Sequence, residues 1–288
     1  MPRIALSAES TIDLTKELIE KNDIHIVPFT VILGNKSGYD GEITSKEIIN
    51  YVKKHDQLPK TSAVNTFQYK NHFEALLKEY DYIIHITLSS EISSAYNNAI
   101  EVAKEMKNVY VIDSQSLSTG IALLALYARK LIDQGMEPFD IVNAVVERRS
   151  SVQASFILSR LDYLYKGGRC NSIGYLASTL LKIRPQIIVL NGRMESKKKY
   201  VGKFDKSLIK YVNDTLEYFN NPDLENVFIT STTSTKEQND AITKILKDRG
   251  FKNVYPTNAG ATITSHCGEN CLGILYINDG DKFNKEEK

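Results

Sequence analysis

The chain has 288 residues, 42% of them hydrophobic and 25% charged, with 36 Lys+Arg against 35 Asp+Glu. This composition excludes a disordered chain and a disulfide-dependent miniature fold, and the balanced charge argues against a general nucleic-acid binder. At roughly 150 residues per domain the length suggests two domains.

Taken in chain order, Arg3–Leu6 is predicted as a strand, Asp13–Lys21 as a helix and His25–Phe29 as extended. Thr44 and Glu47 have the spacing of a capping box for a helix reaching His55. Asn65 can cap a helix reaching Tyr80, with Phe67, Phe73, Leu76 and Leu77 on one side. Tyr82–Leu88 is a β-branched strand, Ser94–Met106 a helix, Val109–Ile112 a strand and Thr119–Gln134 a long apolar helix. Strands separated by helices imply a mostly parallel sheet with flanking helices. A further helix follows Pro138 to about Arg149, and the domain boundary is placed near Ser150.

The second half has a different texture. Gln153–Leu158 and Gln186–Leu190 read as strands, and Asn191-Gly192 reads as a hairpin turn into Met194–Val201. Helices at Lys206–Phe219 and Lys236–Asp248 and strands at Val227–Thr230, Asn253–Pro256 and Leu272–Ile277 complete it. The expectation is an N-terminal α/β domain over residues 1–150, a C-terminal mixed α/β domain over 151–280, and a frayed polar tail at 281–288.

The N-terminus has no signal-like apolar stretch, and the longest apolar run, Ile121–Ala128, is far short of the ~18 residues needed to span a bilayer. Three cysteines, Cys170, Cys267 and Cys271, are an odd count that reads as reduced thiols in a cytoplasmic protein. His266, Cys267 and Cys271 offer three soft ligands without a fourth Cys or His nearby, so no metal is expected. Neither phosphate-loop nor dinucleotide glycine pattern occurs.

Chemistry can sit where strands end, because ligands of open α/β sheets bind at the carboxyl ends of the strands. Four polar stretches lie there: Thr61-Ser62, Ser89–Ser94, Asp113–Ser116 and Ser265–Gly268. Singly, these residues are ordinary caps and turns. His266 is the only histidine placed in a Ser/Gly-rich loop, whereas His25 and His85 lie in strands, and His55 and His72 lie on helices and look exposed. A Ser93–His266 pair oriented by Asp113 or Glu91 would suit an esterase or thioesterase, although the Gly-x-Ser-x-Gly elbow is incomplete at Ser116–Gly120. Lys166-Gly167-Gly168-Arg169 is a glycine-rich turn whose Arg169 could face an anion or a protein. Arg193, Lys197, Lys198, Lys199, Lys203 and Lys206 form the one strong basic run. It is either a solvated edge guard or a patch that touches an acidic partner or, transiently, an anionic membrane.

Several segments in order resemble the DegV family: Glu9–Leu14, Leu58–Ser62, Leu88–Tyr96, Val111–Ser114, Leu164–Arg169, Lys182–Pro185 and Ser265–Gly268. The sequence departs from the family pattern with Glu9 for aspartate, Ser94-Ala95 for Gly-Thr and Ala63-Val64-Asn65 for Gln-Pro-Ser. The resemblance implies two α/β domains with a ligand tunnel between them. It implies a monomeric, non-catalytic subunit, without cofactor, that binds one long-chain fatty acid. A separate ATP-dependent fatty acid kinase would convert the bound acid to an acyl phosphate for phospholipid synthesis. Carried over by position, the carboxylate would meet Thr61, Ser62, Ser93 and His266, with Ser94 and Arg169 as further head-group or kinase contacts. Candidate tunnel liners are Ile121, Leu124 and Leu126 on the apolar helix, with Phe156 and Leu158. The plainer reading of all five is core.

Overall fold

The computed structural model describes residues 2–169 and 183–280. Cys170, Lys182 and the expected tail at 281–288 lie outside the described residues.

The first half runs β1 (Ile4–Glu9), a 3₁₀ turn at Ser10–Ile12, α1 (Lys16–Lys21), β2 (Ile24–Val27), β3 (Thr30–Leu33), β4 (Lys36–Tyr39), α2 (Ser45–His55), β5 (Lys60–Ser62), α3 (Thr66–Leu76), β6 (Tyr82–Thr87), α4 (Ala95–Ala103), β7 (Val109–Asp113), α5 (Thr119–Asp133) and α6 (Pro138–Arg148). Strands β2-β1-β6-β7 form a wholly parallel sheet. The second half runs β8 (Val152–Leu158), α7 (Asp162–Lys166), β9 (Ile183–Leu190), β10 (Arg193–Val201), α8 (Phe204–Tyr218), β11 (Asn226–Ser231), α9 (Lys236–Asp248), β12 (Asn253–Asn258), α10 (Ala261–Cys267) and β13 (Cys271–Ile277). Its sheet, in order β10-β9-β8-β13-β11-β12, is antiparallel except for the parallel β11–β12 pair. A parallel sheet and a mixed sheet, both with helices, are the architecture the sequence predicts.

Local chemistry explains much of this. Both the Thr44–Glu47 and Asn65–Gln68 boxes form, each side chain taking a backbone N–H at the start of α2 and α3. The Asn191-Gly192 turn joins β9 to β10 as predicted, with Leu190 paired to Arg193. Helix α5 is buried nearly all round because it lies between the sheets, touching β1 and β6 on one side and β8, β11 and β13 on the other. One apolar cluster consequently runs from Leu6 and Ile84 through Leu124 to Phe156 and Leu275.

Four features depart from the sequence reading. A small antiparallel sheet, β4-β3-β5, occupies residues 30–62. Its signal was the Thr30–Leu33 run followed by Gly34-Asn35, a short strand and a turn. Helix α7 precedes the predicted Lys166–Arg169 turn and has no counterpart in the sequence reading, and α10 takes in Ser265–Cys267, where a loop is expected. Phe67 is 71% exposed, and of the four residues predicted for the apolar side of α3 only Phe73 is fully buried, beside Tyr69. His72 is half-buried, since its ring bonds the Ser7 hydroxyl at 2.8 Å.

Near the predicted boundary, Arg148 at the end of α6 is only 3% exposed and donates to Asp223 at 2.8 Å and Asp279 at 3.0 Å. Its guanidinium lies 4.5 Å from the centroid of the Tyr127 ring. Removing one partner of a buried ion pair strands the others and costs about 3–5 kcal/mol. Arg148→Ala is therefore expected to lower unfolding free energy by that amount in urea titrations. A loss under about 1 kcal/mol would show that the ion pairs contribute little.

Candidate functional site

Three segments bring the predicted head-group residues to one place. Strand β5 is short, but Thr61 pairs with Val31 of β3, which fixes the direction of its side chain. The loop after β6 carries Ser93 and Ser94 into the start of α4, where Ser93 Oγ accepts from the Ala95 N–H at 3.2 Å. Helix α10 supplies His266, whose Nε2 lies 2.8 Å from Thr61 Oγ1. Thr61, Ser62, Ser93, Ser94, Arg169 and His266 all border a single cavity of about 280 Å³. All six residues predicted for the head group thus face the same space.

Helix α10 forms against its own propensity. Ala261-Thr262-Ile263-Thr264-Ser265 is rich in β-branched and hydroxyl residues, which are indifferent helix formers. Two carboxylates from the first half satisfy its opening turn. Asp13 accepts from the Gly260 N–H at 2.7 Å, and Asp40 from the N–H groups of Ala261 at 2.7 Å and Thr262 at 3.2 Å. Those N–H groups have no partner within a helix, so an external acceptor stabilises it directly. Ser118 donates to Asp13 and Ser10 donates to Asp40, which orients both acids. Burial nevertheless pushes the Asp13 carboxyl up to about 8. The clamp delivers His266 in the last turn of α10, where sequence reading had placed a loop.

The Lys166–Arg169 turn closes against the imidazole. A Cβ on Gly167 would stand 2.8 Å from His266 Nδ1, and Gly168 has φ +72°, so both glycines are required here. Burial, and the Arg169 cation beside it, push the His266 imidazole down to about 4. It is a neutral ring at neutral pH, able to donate or accept one hydrogen bond at Nε2.

A second ring of contacts holds the serine loop. Glu9, which stands for the family's aspartate, is fully buried and accepts from Tyr69 Oη at 2.6 Å and the Leu88 N–H at 2.7 Å, with His85 Nε2 at 3.2 Å. Ser89 donates to the Gly192 carbonyl, and Ser90 donates to Asp113 at 2.6 Å. The Asp113–Ser116 stretch does not border the cavity; it braces the loop that does. Among the described residues, neither Asp113 nor Glu91 bonds His266 as a hydrolase relay would need. Asp113 is engaged by Ser90, Glu91 pairs with Arg193 at 2.6 Å, and His266 Nδ1 has no partner among the described residues.

Beyond the polar mouth the cavity turns apolar. Leu117, Ile263 and Cys267 border both the head-group space and a deeper chamber of about 30 Å³ lined by Phe156, Cys271 and Leu275. Of the five expected liners only Phe156 borders this space. Ile121, Leu124 and Leu158 are fully buried core, and Leu126 borders a separate cavity between α1, α5 and the β11–β12 edge. The apolar pattern of α5 carried no information on which face met a cavity, because both faces are covered. The liners that reading missed, Ile263 and Cys267 among them, recur at i, i+4 on α10. That spacing would have been a signal had the helix been recognised.

Arg193 and Lys197–Lys199 of the basic run lie on β10, the edge strand of the mixed sheet, whereas Lys203 caps α8 and Lys206 lies in its first turn. Arg193 pairs with Glu91, Lys198 with Asp214 at 2.6 Å, and Lys197 sits 4.1 Å from the centroid of the Tyr218 ring. Arg169 borders both the head-group cavity and a recess of about 500 Å³ outside it, which Arg193 also lines. Cys267 and Cys271 are free thiols. Among the described residues no three His, Cys, Asp or Glu side chains are grouped to hold a metal, and no helix is long and apolar enough to cross a membrane.

Two sheets meeting at an internal cavity with a hydroxyl-and-imidazole mouth define an α/β protein built around a binding chamber. The profile described as an uncharacterised protein of the DegV family matches residues 3–279, and the chain belongs to that family. A DegV domain-containing protein of Staphylococcus aureus is 28% identical, with 96% of this chain and 99% of that one covered. Among solved structures, the DegV fatty acid binding protein of Bacillus subtilis is similar at TM-score 0.85 and 27% identity, covering 97% of this chain and 100% of that one. A DegV lipid binding protein of Thermotoga maritima matches at TM-score 0.84 and 26% identity, covering 96% and 98%.

The depressed histidine makes a prediction about acid stability. An unfolded histidine near 6.5 takes up a proton that the folded His266 refuses until about pH 4. Stability therefore falls as pH drops through that window. His266→Gln should remove about 2–3 kcal/mol of the stability difference between pH 7 and pH 4.5, read from urea midpoints at both. An unchanged pH slope in the variant would contradict a buried neutral ring.

Proposed function

We propose that this protein binds one long-chain fatty acid, with the carboxylate at the mouth and the tail along the apolar walls shared by the head-group cavity and the adjoining chamber, which widens to take it. A separate ATP-dependent kinase then phosphorylates that carboxylate, and the acyl phosphate enters phospholipid synthesis. The observation that carries the reading is the Thr61–His266 hydrogen bond at the opening of a cavity shared with Ser62, Ser93 and Ser94. The relatives from Bacillus subtilis and Thermotoga maritima, which are described as binding fatty acid and lipid, support the ligand class.

The physical argument has two parts. A tail of about 14 methylenes at ~0.8 kcal/mol each contributes roughly 11 kcal/mol before ordering costs, so the chain dominates affinity. The head group is met by hydroxyls and one neutral imidazole, with no lysine among the described residues on the cavity and Arg169 on its rim. A carboxylate held this way is oriented without being locked into a buried ion pair, and one oxygen stays available to attack a phosphoryl group. The protein supplies position and the kinase supplies nucleotide and metal, so the chain acts as a non-catalytic cytoplasmic subunit. Arg169 and the recess it shares with Arg193 suit the approach of an anionic phosphate or an acidic partner face.

The test is acyl-phosphate formation with a DegV-partner fatty acid kinase and ATP. The Ser93→Ala, His266→Ala double variant is expected to lower the rate at least about a hundredfold, while its urea midpoint at pH 7 moves little. A kinase rate equal to wild type would remove these residues from the proposed roles.

A further inference from the structure

A chain of hydrogen bonds runs behind the serine loop, through groups that the head-group contacts do not use. Ser7 on β1, His72 on α3 and His85 on β6 meet at one hydroxyl: Ser7 Oγ lies 2.8 Å from His72 Nε2 and 2.9 Å from His85 Nδ1. The other ring nitrogen of His85, Nε2, lies 3.2 Å from Glu9 Oε1. Ser7, Glu9, Tyr69 and His85 are all fully buried, and Tyr69 and Phe73 pack edge-on to the His85 ring, each with 5.3 Å between centroids. A ring buried this completely needs a partner for each nitrogen, and here each has one. The far end of the chain reaches the cavity. Glu9 Oε2 accepts the Leu88 N–H at 2.7 Å, and Leu88 borders the head-group space. From Leu88 the loop closes on itself, since the Ser93 N–H bonds the Ser89 carbonyl at 3.2 Å.

The direction of the proton at Glu9 follows from these contacts. Tyr69 donates to Glu9 Oε1 at 2.6 Å, the length of an O–H bond to an ionised carboxylate. An ionised Glu9 only accepts, so His85 donates to it from Nε2. Ser7 then takes the remaining ring nitrogen, and His72 completes Ser7. Burial, then the neighbouring His85 and His25 rings, push the His72 imidazole down to about 3. At neutral pH it therefore has one N–H and one acceptor nitrogen, so it can serve Ser7 as either donor or acceptor. We propose that His85 is a positioning residue of the head-group site: its Nε2–H fixes the Glu9 carboxylate, and Glu9 in turn fixes the loop from Leu88 to Ser93. This rests on the fatty-acid reading of the cavity. The tail supplies most of the affinity on that reading, so a loosened serine loop affects how the carboxylate is presented more than whether the acid binds.

The experiment uses the full chain with isotope-labelled histidine, and stearic acid as the ligand. Long-range proton–nitrogen spectra of the wild type should show His85 protonated at Nε2. An unprotonated Nε2 places the proton on Glu9 instead and overturns the proposal without recourse to any variant. Two variants then separate positioning from packing. His85→Gln can offer an amide N–H in place of Nε2, and His85→Leu offers none. With a fatty acid kinase and ATP at saturating stearic acid, His85→Leu is expected to lower the acyl-phosphate rate at least about tenfold, while the dissociation constant for stearic acid moves less than about threefold. Solvent exchange of the Leu88 amide, which needs no kinase, should quicken at least about tenfold in the same variant. His85→Gln should recover most of both losses. Equal losses in the two variants, or a wild-type rate with wild-type Leu88 exchange in His85→Leu, overturn the positioning role. A wild-type protein with His85 protonated at Nε2 that nevertheless binds no stearic acid overturns the fatty-acid reading and leaves the Glu9–His85 contact standing.

Discussion

The site depends on two buried aspartate side chains accepting the first N–H groups of a helix that would not otherwise form. Asp13 follows β1 and Asp40 follows β4, and both reach across the molecule to Gly260, Ala261 and Thr262. Without them α10 would be a weak helix former with three unsatisfied donors in a buried setting. With them, it projects His266 at Thr61, sets Ile263 and Cys267 into the chamber, and faces the Lys166–Arg169 turn. The family's opening motif and its histidine motif are thus parts of one interaction, although they are separated by nearly the whole chain. Ser10 and Ser118 orient the two acids, so hydroxyls from two separate segments serve the same helix end.

The division of labour follows from that geometry. The chamber's walls come from α10, β8, β11, β13 and the Leu117-Ser118 segment, with Ser118, Thr230, Ser231 and Thr232 among otherwise apolar groups. The mouth is built from hydroxyls and a ring that burial keeps neutral. Affinity on the proposed reading comes from the tail, and the mouth sets where the carboxylate points. The serine loop is held from outside the cavity by Glu9, Asp113 and the Gly192 carbonyl.

Much of the fold was legible because its signals are local. The capping residues of α2 and α3, the Asn191-Gly192 turn and the alternation of strand and helix each act over a few residues. Helix α10 was not legible, since its helicity depends on acceptors more than two hundred residues earlier in the chain. The small sheet was overlooked because β5 has three residues and gains its order from β3. The head-group residues were reached through the order of short motifs, each weak alone; spacing gave no reason for Thr61 and His266 to meet. Of the five liner candidates, four lie away from the chamber and three are fully buried, as their plainer reading as core has it, for a physical reason. A helix buried on both sides, such as α5, has no polar face, and periodicity then cannot separate packed core from cavity wall.

The central claim is that this chamber holds an acyl chain. Native mass spectrometry of the purified protein, followed by denaturation and identification of whatever is released, tests it most directly. The account predicts one long-chain fatty acid per chain, lost on denaturation. A protein that runs at its bare mass and stays bare when long-chain fatty acids are added would contradict it.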